Sequence, residues 1–176
     1  MLDKANIYLL GIGGIGMSGL ARYFKSAKRK VYGYDRYRST LCETLESEGH
    51  KIHYTDSPEN IPGKLNPENT LVIYTPAVPT DSAEMAYFKE QGFLLKKRAQ
   101  VLGAIAQNHT CLAIAGTHGK TTTSAILAHL FKNAGKEVIA FLGGLSTNYN
   151  TNYWGSANAE ILVAEADEFD RSFLNL

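Results

Sequence analysis

The chain has 176 residues, 44% of them hydrophobic, and a formal net charge of +1. That length holds one ordinary domain or somewhat more, with enough apolar residues for a packed core. The near-neutral charge provides no global field toward nucleic acid or a membrane surface, and no apolar run reaches membrane-spanning length.

Met1–Lys4 runs straight into a strand pattern without a signal peptide, so cytoplasm is the expected compartment. Cys42 and Cys111 stand far apart without metal-ligand spacing and read as buried free thiols in a reducing environment. Ala5–Leu10 is a short β-type run. It opens onto Gly11-Ile12-Gly13-Gly14-Ile15-Gly16, and a helical pattern carrying Leu20, Tyr23, Phe24 and Ala27 follows. This is G-x-G-x-x-G between a strand and a helix. Glycines there permit a tight turn and close approach to a diphosphate, and the helix dipole favours its charge. Val31–Tyr34 is a second strand ending at Asp35, 19 residues after Gly16, where a carboxylate can accept from a ribose hydroxyl. The pattern does not separate a nicotinamide dinucleotide from a UDP-sugar. Its plainer reading is that the glycines serve helix–strand packing alone.

A helix is expected over residues 40–48, a brief strand near Ile52, and a polar loop with Pro58, Pro62, Gly63 and Pro67. Leu71–Tyr74 reads as a buried strand leaving through Thr75-Pro76-Ala77-Val78-Pro79. Residues 82–91 read as a helix ended by Gly92, Phe93–Leu95 as a strand, and 99–106 as a short helix. Lys96-Lys97-Arg98 reads as a solvated linker or, more sharply, as a contact to a bound diphosphate. The β-α-β-α rhythm predicts an open, mainly parallel α/β sheet.

A second unit opens near Asn108. The apolar run Cys111–Ala115 leads into Gly116-Thr117-His118-Gly119-Lys120-Thr121-Thr122-Thr123 and an amphipathic helix reaching about Ala134, with Ile126, Leu127, Leu130, Phe131 and Ala134 on its expected core face. This is a triphosphate cradle. Loop N–H groups and the helix start hold phosphates, Lys120 reaches the terminal ones, and the Thr121 hydroxyl faces Mg²⁺. The general G-x-x-x-x-G-K-[ST] pattern would place glycine at 114, where Ile114 stands. His118 can meet a phosphate or a substrate carboxylate, although a lone loop histidine is more often solvated. Gly135 is the expected helix stop. Val138–Leu142 is the next strand, and residues 143–159, rich in Gly, Asn, Ser and Thr, read as a loop. Glu160–Ala164 is a strand ending at Glu165, where a carboxylate can bind Mg²⁺ directly or through water. Asp167, Glu168 and Asp170 follow, as metal or phosphate groups or simply as acidic residues favoured at a helix start. His50, His53 and His129 belong to no constellation.

Taken together, these segments resemble the Mur ligase family. Gly11–Ala21 resembles the family's N-terminal glycine-rich segment, Gly116–Thr123 its ATP loop, and Ala164–Glu168 with Asp170-x-Ser172-Phe173-Leu174 its acidic motif. Isoleucine in place of the first loop glycine is the family's habit. Two departures stand out: Gly33-Tyr34-Asp35 where Gly-Ser-Asp is common, and Thr55-Asp56 where Gly-His is common. The resemblance implies a Rossmann-like parallel-sheet domain over 1–107 that binds a UDP-sugar, followed over 108–176 by the start of a P-loop ATPase-type α/β domain. It implies ATP and Mg²⁺ as cofactors, with UDP-N-acetylmuramate and L-alanine as the partners joined through an acyl phosphate in peptidoglycan precursor synthesis. It implies Lys120 and His118 as catalytic; Gly116, Thr117, His118, Gly119, Lys120, Thr121 and Thr122 as ATP contacts; and Thr121 and Glu165 as metal ligands. Gly11, Gly13, Gly14, Ile15, Gly16, Asp35, Thr75, Pro76 and Ala77 become substrate contacts. Because the chain stops soon after the acidic cluster, it reads as a piece of a longer protein that does not turn over alone. The alternatives are a UDP-sugar-binding module, a related muropeptide-recycling ligase, and a nicotinamide-dependent oxidoreductase in which the second loop would have no role.

Overall fold

The computed structural model describes residues 1–156 and 159–166. Asp167, Glu168, Asp170 and the residues beyond them lie outside that set. The chain divides into two compact units, Met1–Arg98 and Ala99–Leu176. The boundary expected from the sequence falls after the helix at 98–106.

The first unit is built on β1 (Asn6–Leu10), α1 (Ile15–Ser26), β2 (Lys30–Tyr34), α2 (Thr40–Ser47), β3 (Lys51–His53), β4 (Thr70–Tyr74), α3 (Ala83–Glu90) and β5 (Leu94–Lys97), with a single 3₁₀ turn at Pro58–Asn60. Its sheet runs β3-β2-β1-β4-β5, every pair parallel. A parallel sheet covered on both faces needs apolar residues at successive positions, and β1 is buried along its whole length. Tyr8 and Leu10 join Tyr32, Tyr34, Val72, Phe88 and Phe93 in one core cluster. Ile7 and Leu9 point to the opposite face by strand alternation and are also fully buried. α1 packs on β1 and β2, and Arg22 on α1 makes a forked bond to Glu48 at the end of α2, at 2.8 and 2.9 Å. Ser39 caps α2 by accepting from the Cys42 amide at 3.2 Å. Gly92, at φ +71°, follows the end of α3 as expected.

Strand order reverses direction at β1, so β2 lies on one side and β4 on the other. The C-terminal ends of β1 and β4 flank the crevice where parallel α/β sheets bind ligands. Lys96 and Lys97 are not linker residues. They extend β5, paired with Ile73 and Tyr74, and are half-buried. The aliphatic stems of lysine can lie along a sheet while the amines reach water.

α4 (Arg98–Ala106) leads into β6 (Thr110–Ile114), α5 (Lys120–Asn133), β7 (Val138–Ser146), β8 (Thr151–Trp154) and β9 (Ile161–Glu165). The second sheet runs β6-β9-β7-β8, with β8 antiparallel to β7 and the other pairs parallel. The segment expected as a loop, 143–159, therefore contains ordered β structure. β7 continues to Ser146, and β8 folds back with Phe141 opposite Tyr153 and Ala140 opposite Trp154, interrupted by a bulge. Aromatic cross-strand packing at 5.3 Å between Phe141 and Tyr153 offsets the weak strand propensity of the surrounding Asn and Gly.

α5 also differs from its expected face. Leu127 and Phe131 pack with Ala128 against Val138, Ala140, Leu142 and Val163, while Ile126 and Leu130 are 56% and 58% exposed. The apolar residues of this helix wrap too far round it for one stripe, and the small Ala128 lets the helix sit close on the sheet. Cys42 is buried and Cys111 only half-buried, where burial raises its thiol pKa.

Candidate functional site

Each unit carries a glycine-rich turn between a strand end and a helix start. In the first, the amides of Gly11 and Ile12 both donate to the Tyr34 carbonyl, at 2.8 and 3.1 Å. Gly14 N donates to Gly11 O at 3.1 Å, and Gly13 N to Asp35 Oδ2 at 2.7 Å. Asp35 Oδ1 accepts from Tyr37 N at 3.2 Å. The first α-helical bond runs from Ser18 N to Gly14 O, so the amides of Gly16 and Met17 precede the intrahelical ladder at the open end of α1. Gly14 and Ile15 are exposed; Gly11, Gly13, Gly16 and Asp35 are half-buried. Thr75, half-buried, closes the neighbouring turn after β4 by accepting from Ala77 N at 3.1 Å, and Pro76 and Ala77 are exposed. A Cβ on Gly11 would meet Thr75 Cγ2 at 3.0 Å, so these two turns lie side by side. The structure brings all nine expected substrate contacts of this unit to the C-terminal edge of one sheet.

The second turn is open. Gly116, Thr117, His118 and Gly119 are exposed, and nothing lies within 4 Å of a Cβ built on Gly119. Gly119 is the N-cap of α5 at φ +78°, a left-handed conformation glycine takes without steric cost. No side chain caps this helix. Thr123 N makes its first bond, to Gly119 O at 2.9 Å, and the amides of Thr121 and Thr122 precede it. Lys120 Nζ donates to the Gly116 carbonyl at 2.8 Å, which holds the amine back across the turn. Thr122 is exposed and Thr121 half-buried.

Glu165 ends β9 opposite Ile114, the last residue of β6 before this turn, and Ala166 N donates to Ile114 O at 2.9 Å. Its Oε1 accepts from Gly143 N at 2.6 Å on β7. A Cβ on Gly143 would stand 2.6 Å from Glu165 Oε2, so only glycine leaves room for this carboxylate. The next residue, Gly144, has its Cβ position 3.4 Å from Thr121 Cγ2. Glu165 thus lies against Gly143, and the methyl group of Thr121 against Gly144, at consecutive positions of β7. A hydroxyl and a carboxylate are hard oxygen donors, the set that suits Mg²⁺, which keeps several waters and needs few protein ligands. Among the described residues no group of three His, Cys, Asp or Glu converges in the manner of a transition-metal site. Gly143 and Gly144 escaped sequence reasoning because they looked like loop composition; their signal was adjacency to a buried strand.

A second cluster was also missed. The Tyr8 hydroxyl lies 2.5 Å from Glu84 Oε2 and 2.7 Å from His53 Nε2, and Glu84 Oε1 is 3.3 Å from that same nitrogen. His53 Nδ1 faces the Thr55 carbonyl at 3.1 Å. Asp56 caps α3, accepting from Ala83 N and Glu84 N. Burial raises the Glu84 pKa to about 7 and lowers that of His53.

The family model described as "Mur ligase family, catalytic domain" matches residues 6–110. UDP-N-acetylmuramate–L-alanine ligase of Flavobacterium psychrophilum is 54% identical over 97% of this chain, and that of Porphyromonas gingivalis strain W83 is 48% identical over the same share. The chain spans 38% of the length of each. A solved UDP-N-acetylmuramate–alanine ligase from Thermotoga maritima superposes with a TM-score of 0.80 at 30% identity, covering 91% of this chain and 37% of that one. A UDP-N-acetylmuramate:L-alanyl-γ-D-glutamyl-meso-diaminopimelate ligase from Neisseria gives 0.83 at 25% identity, covering 96% and 54%. Among the described residues no helix is long and apolar enough to cross a membrane. With the family model covering more than half its residues, the chain belongs to the Mur ligase family.

Proposed function

We propose that this chain serves the ATP-dependent joining of L-alanine to the carboxylate of UDP-N-acetylmuramate, a cytoplasmic step of peptidoglycan precursor synthesis. Residues 1–107 bind the UDP-sugar, and residues 108–176 open the ATP-binding domain. The observation that carries the reading is the exposed turn at 116–119 opening onto the start of α5, with Glu165 at the end of β9 opposite Ile114, the last residue of β6 before that turn. The identities near 50% to named alanine ligases support it.

The chemistry needs two anions brought together, the muramyl carboxylate and the γ-phosphate. The carboxylate oxygen attacks phosphorus and ADP leaves. The amine of L-alanine then attacks the acyl carbonyl, a tetrahedral species collapses, and phosphate leaves while the amine loses its proton. Thr121 and Glu165 would hold Mg²⁺, which when bound neutralises phosphate charge. Lys120 exchanges the Gly116 carbonyl for a phosphate oxygen, and the α5 amides face the phosphates from the helix end. His118, exposed on the same turn, is positioned to meet the terminal phosphate or the substrate carboxylate. The first unit anchors the UDP moiety, so that binding energy remote from the reaction positions the carboxylate.

The decisive assay is phosphate release by the full chain with UDP-N-acetylmuramate and ATP, with and without L-alanine. Release that needs all three supports the reading; release indifferent to the amino acid and the sugar nucleotide, or tight NAD binding in their place, defeats it. The 176 residues alone are expected to bind without turning over. The TM-score of 0.83 to the tripeptide-joining ligase gives a second reading, in which L-Ala-γ-D-Glu-meso-diaminopimelate replaces L-alanine. Offering both amines in the same assay separates them.

A further inference from the structure

The glycine-rich turn of the first unit is not a uniform cradle. Its amides at 11, 12, 13 and 14 are already spent on Tyr34 O, Asp35 Oδ2 and Gly11 O. The Asp35 carboxylate sits on the Gly13 amide, so the β2 side of the turn presents negative charge, unsuited to a phosphate and suited to a hydroxyl donor. What remains for an anion is the open end of α1 at Gly16 and Met17.

Arg98 lies against that end. A Cβ on Gly16 would stand 2.6 Å from Arg98 Nη1, 2.9 Å from Cδ and 3.1 Å from Cζ. The guanidinium and its stem thus rest on the bare backbone of Gly16, in space any other residue would fill. Arg98 follows β5, whose C-terminal end shares the sheet edge with the ends of β1 and β4. It is half-buried, and among the described residues no carboxylate forms an ion pair with it. By contrast Arg22 and Arg38 each have their glutamate. A half-buried guanidinium held beside a positive helix end, with no carboxylate paired to it among the described residues, is a site arranged for an anion. Arginine's planar fork suits two phosphate oxygens at once.

We propose that Arg98 is a binding residue for the diphosphate of the nucleoside diphosphate sugar, and that Gly16 is glycine to admit it. The turn is then divided: Asp35 takes the ribose side, and Arg98 with the Gly16 and Met17 amides takes the phosphates. This rests on the reading of the first unit as a UDP-sugar site.

The test is titration of the full chain with UDP and with uridine, at two salt concentrations. Arg98→Ala is expected to weaken UDP binding about 10- to 100-fold, the size of a lost charge-assisted pair. Uridine and ATP binding should stay unchanged, and the salt dependence of UDP binding should flatten. Arg98→Lys should recover part of the loss. Gly16→Ala, which keeps the charge but displaces the guanidinium, should weaken UDP in the same way, and a thermal midpoint near wild type for either alanine variant excludes misfolding as the cause. Equal UDP affinity in wild type and Arg98→Ala overturns the role of Arg98 while leaving the site reading intact. A wild-type chain that binds neither UDP nor uridine overturns both.

Discussion

The two glycine-rich turns look alike in sequence and differ in physics. The turn at 11–16 is closed by its own hydrogen bonds to Tyr34 and Asp35 and packed beside Thr75. The turn at 116–119 is exposed, rests on left-handed glycine at 119, and keeps its lysine on a neighbouring carbonyl. A site that holds a substrate at a distance from the chemistry benefits from a rigid seat. A site that must admit, cleave and release a triphosphate needs donors that can exchange partners. Glycine serves close packing at Gly13 and Gly16 of the first turn, and backbone conformation alone at Gly119 of the second.

The largest break in this comparison is expected at Lys120. Lys120→Ala should lower alanine-dependent phosphate release by about 10²- to 10³-fold, the range seen when one charge-stabilising donor is removed from a transition state. UDP binding should not change. An equal loss of UDP affinity would mean that the two turns form one site, contrary to the division of labour proposed here.

The units differ in buried charge as well. His50 and Glu84 both sit in the first unit, 5% and 0% exposed, with the His50 pKa lowered to about 4 and that of Glu84 raised to about 7, each chiefly by desolvation. Their linkages oppose. Folded Glu84 binds a proton that the unfolded chain has lost, so its contribution is full below about pH 4.5 and fades as pH rises to about 7. Folded His50 refuses a proton that the unfolded chain takes up, so its contribution is full above about pH 6.5 and is lost as pH falls to about 4. His53 is shifted in the same sense as His50. Between about pH 4.5 and 6.5 the terms offset. Glu84→Gln should therefore leave a stability that climbs with pH across that range, and His50→Gln one that climbs less or falls. Urea denaturation at pH 5 and pH 6.5 reads the difference, and parallel profiles for both variants would rule the assignment out.

How much of this was legible beforehand follows from which signals are local. The parallel strands β1, β4 and β9 announced themselves because burial on both faces demands consecutive apolar residues, and both turns because glycine follows such a run. β8 was hidden because its pairing partner, not its composition, makes it a strand. The outward stripe of α5 was hidden because Ile126 and Leu130 satisfy helical spacing whichever way the helix is turned. The Tyr8–His53–Glu84 cluster joins residues 45 and 76 positions apart, and Arg98 meets Gly16 only because β5 ends at the same sheet edge as β1. The linear pattern offers Lys96-Lys97-Arg98 as a diphosphate contact beside its linker reading, and topology decides which of the three meets a glycine-rich turn. The residues of the second turn were readable because the site is one strand, one turn and one helix; Gly143 and Gly144 were not, because they arrive on another strand.

A smaller effect is expected from Asp35→Ala. Removing the acceptor for Gly13 N and Tyr37 N should cost the first unit about 1–2 kcal/mol, within the range for hydrogen bonds to a charged group at a half-buried position. UDP affinity should fall with it, since the seat is no longer rigid. Asp35→Asn retains one acceptor and should recover part of the stability. If Asp35→Ala weakened binding with no change in stability, the carboxylate would serve the ligand alone and the turn would be no more closed than its counterpart.

The smallest effect separates the two turns most cleanly. Gly119→Ala meets no neighbouring atom and is strained only by its left-handed backbone, a cost of about 1–2 kcal/mol for an L-residue. His118→Ala, at an exposed position one residue earlier, should change stability by less than about 0.5 kcal/mol. In thermal denaturation, Gly119→Ala should lower the midpoint slightly and His118→Ala leave it in place. Both should reduce the stabilisation that ATP and Mg²⁺ confer on wild type, because they alter the turn that meets the phosphates. If His118→Ala shifted the midpoint as far as Gly119→Ala while ATP stabilised it fully, His118 would be holding the turn together, and the open cradle would be as closed as the seat at 11–16.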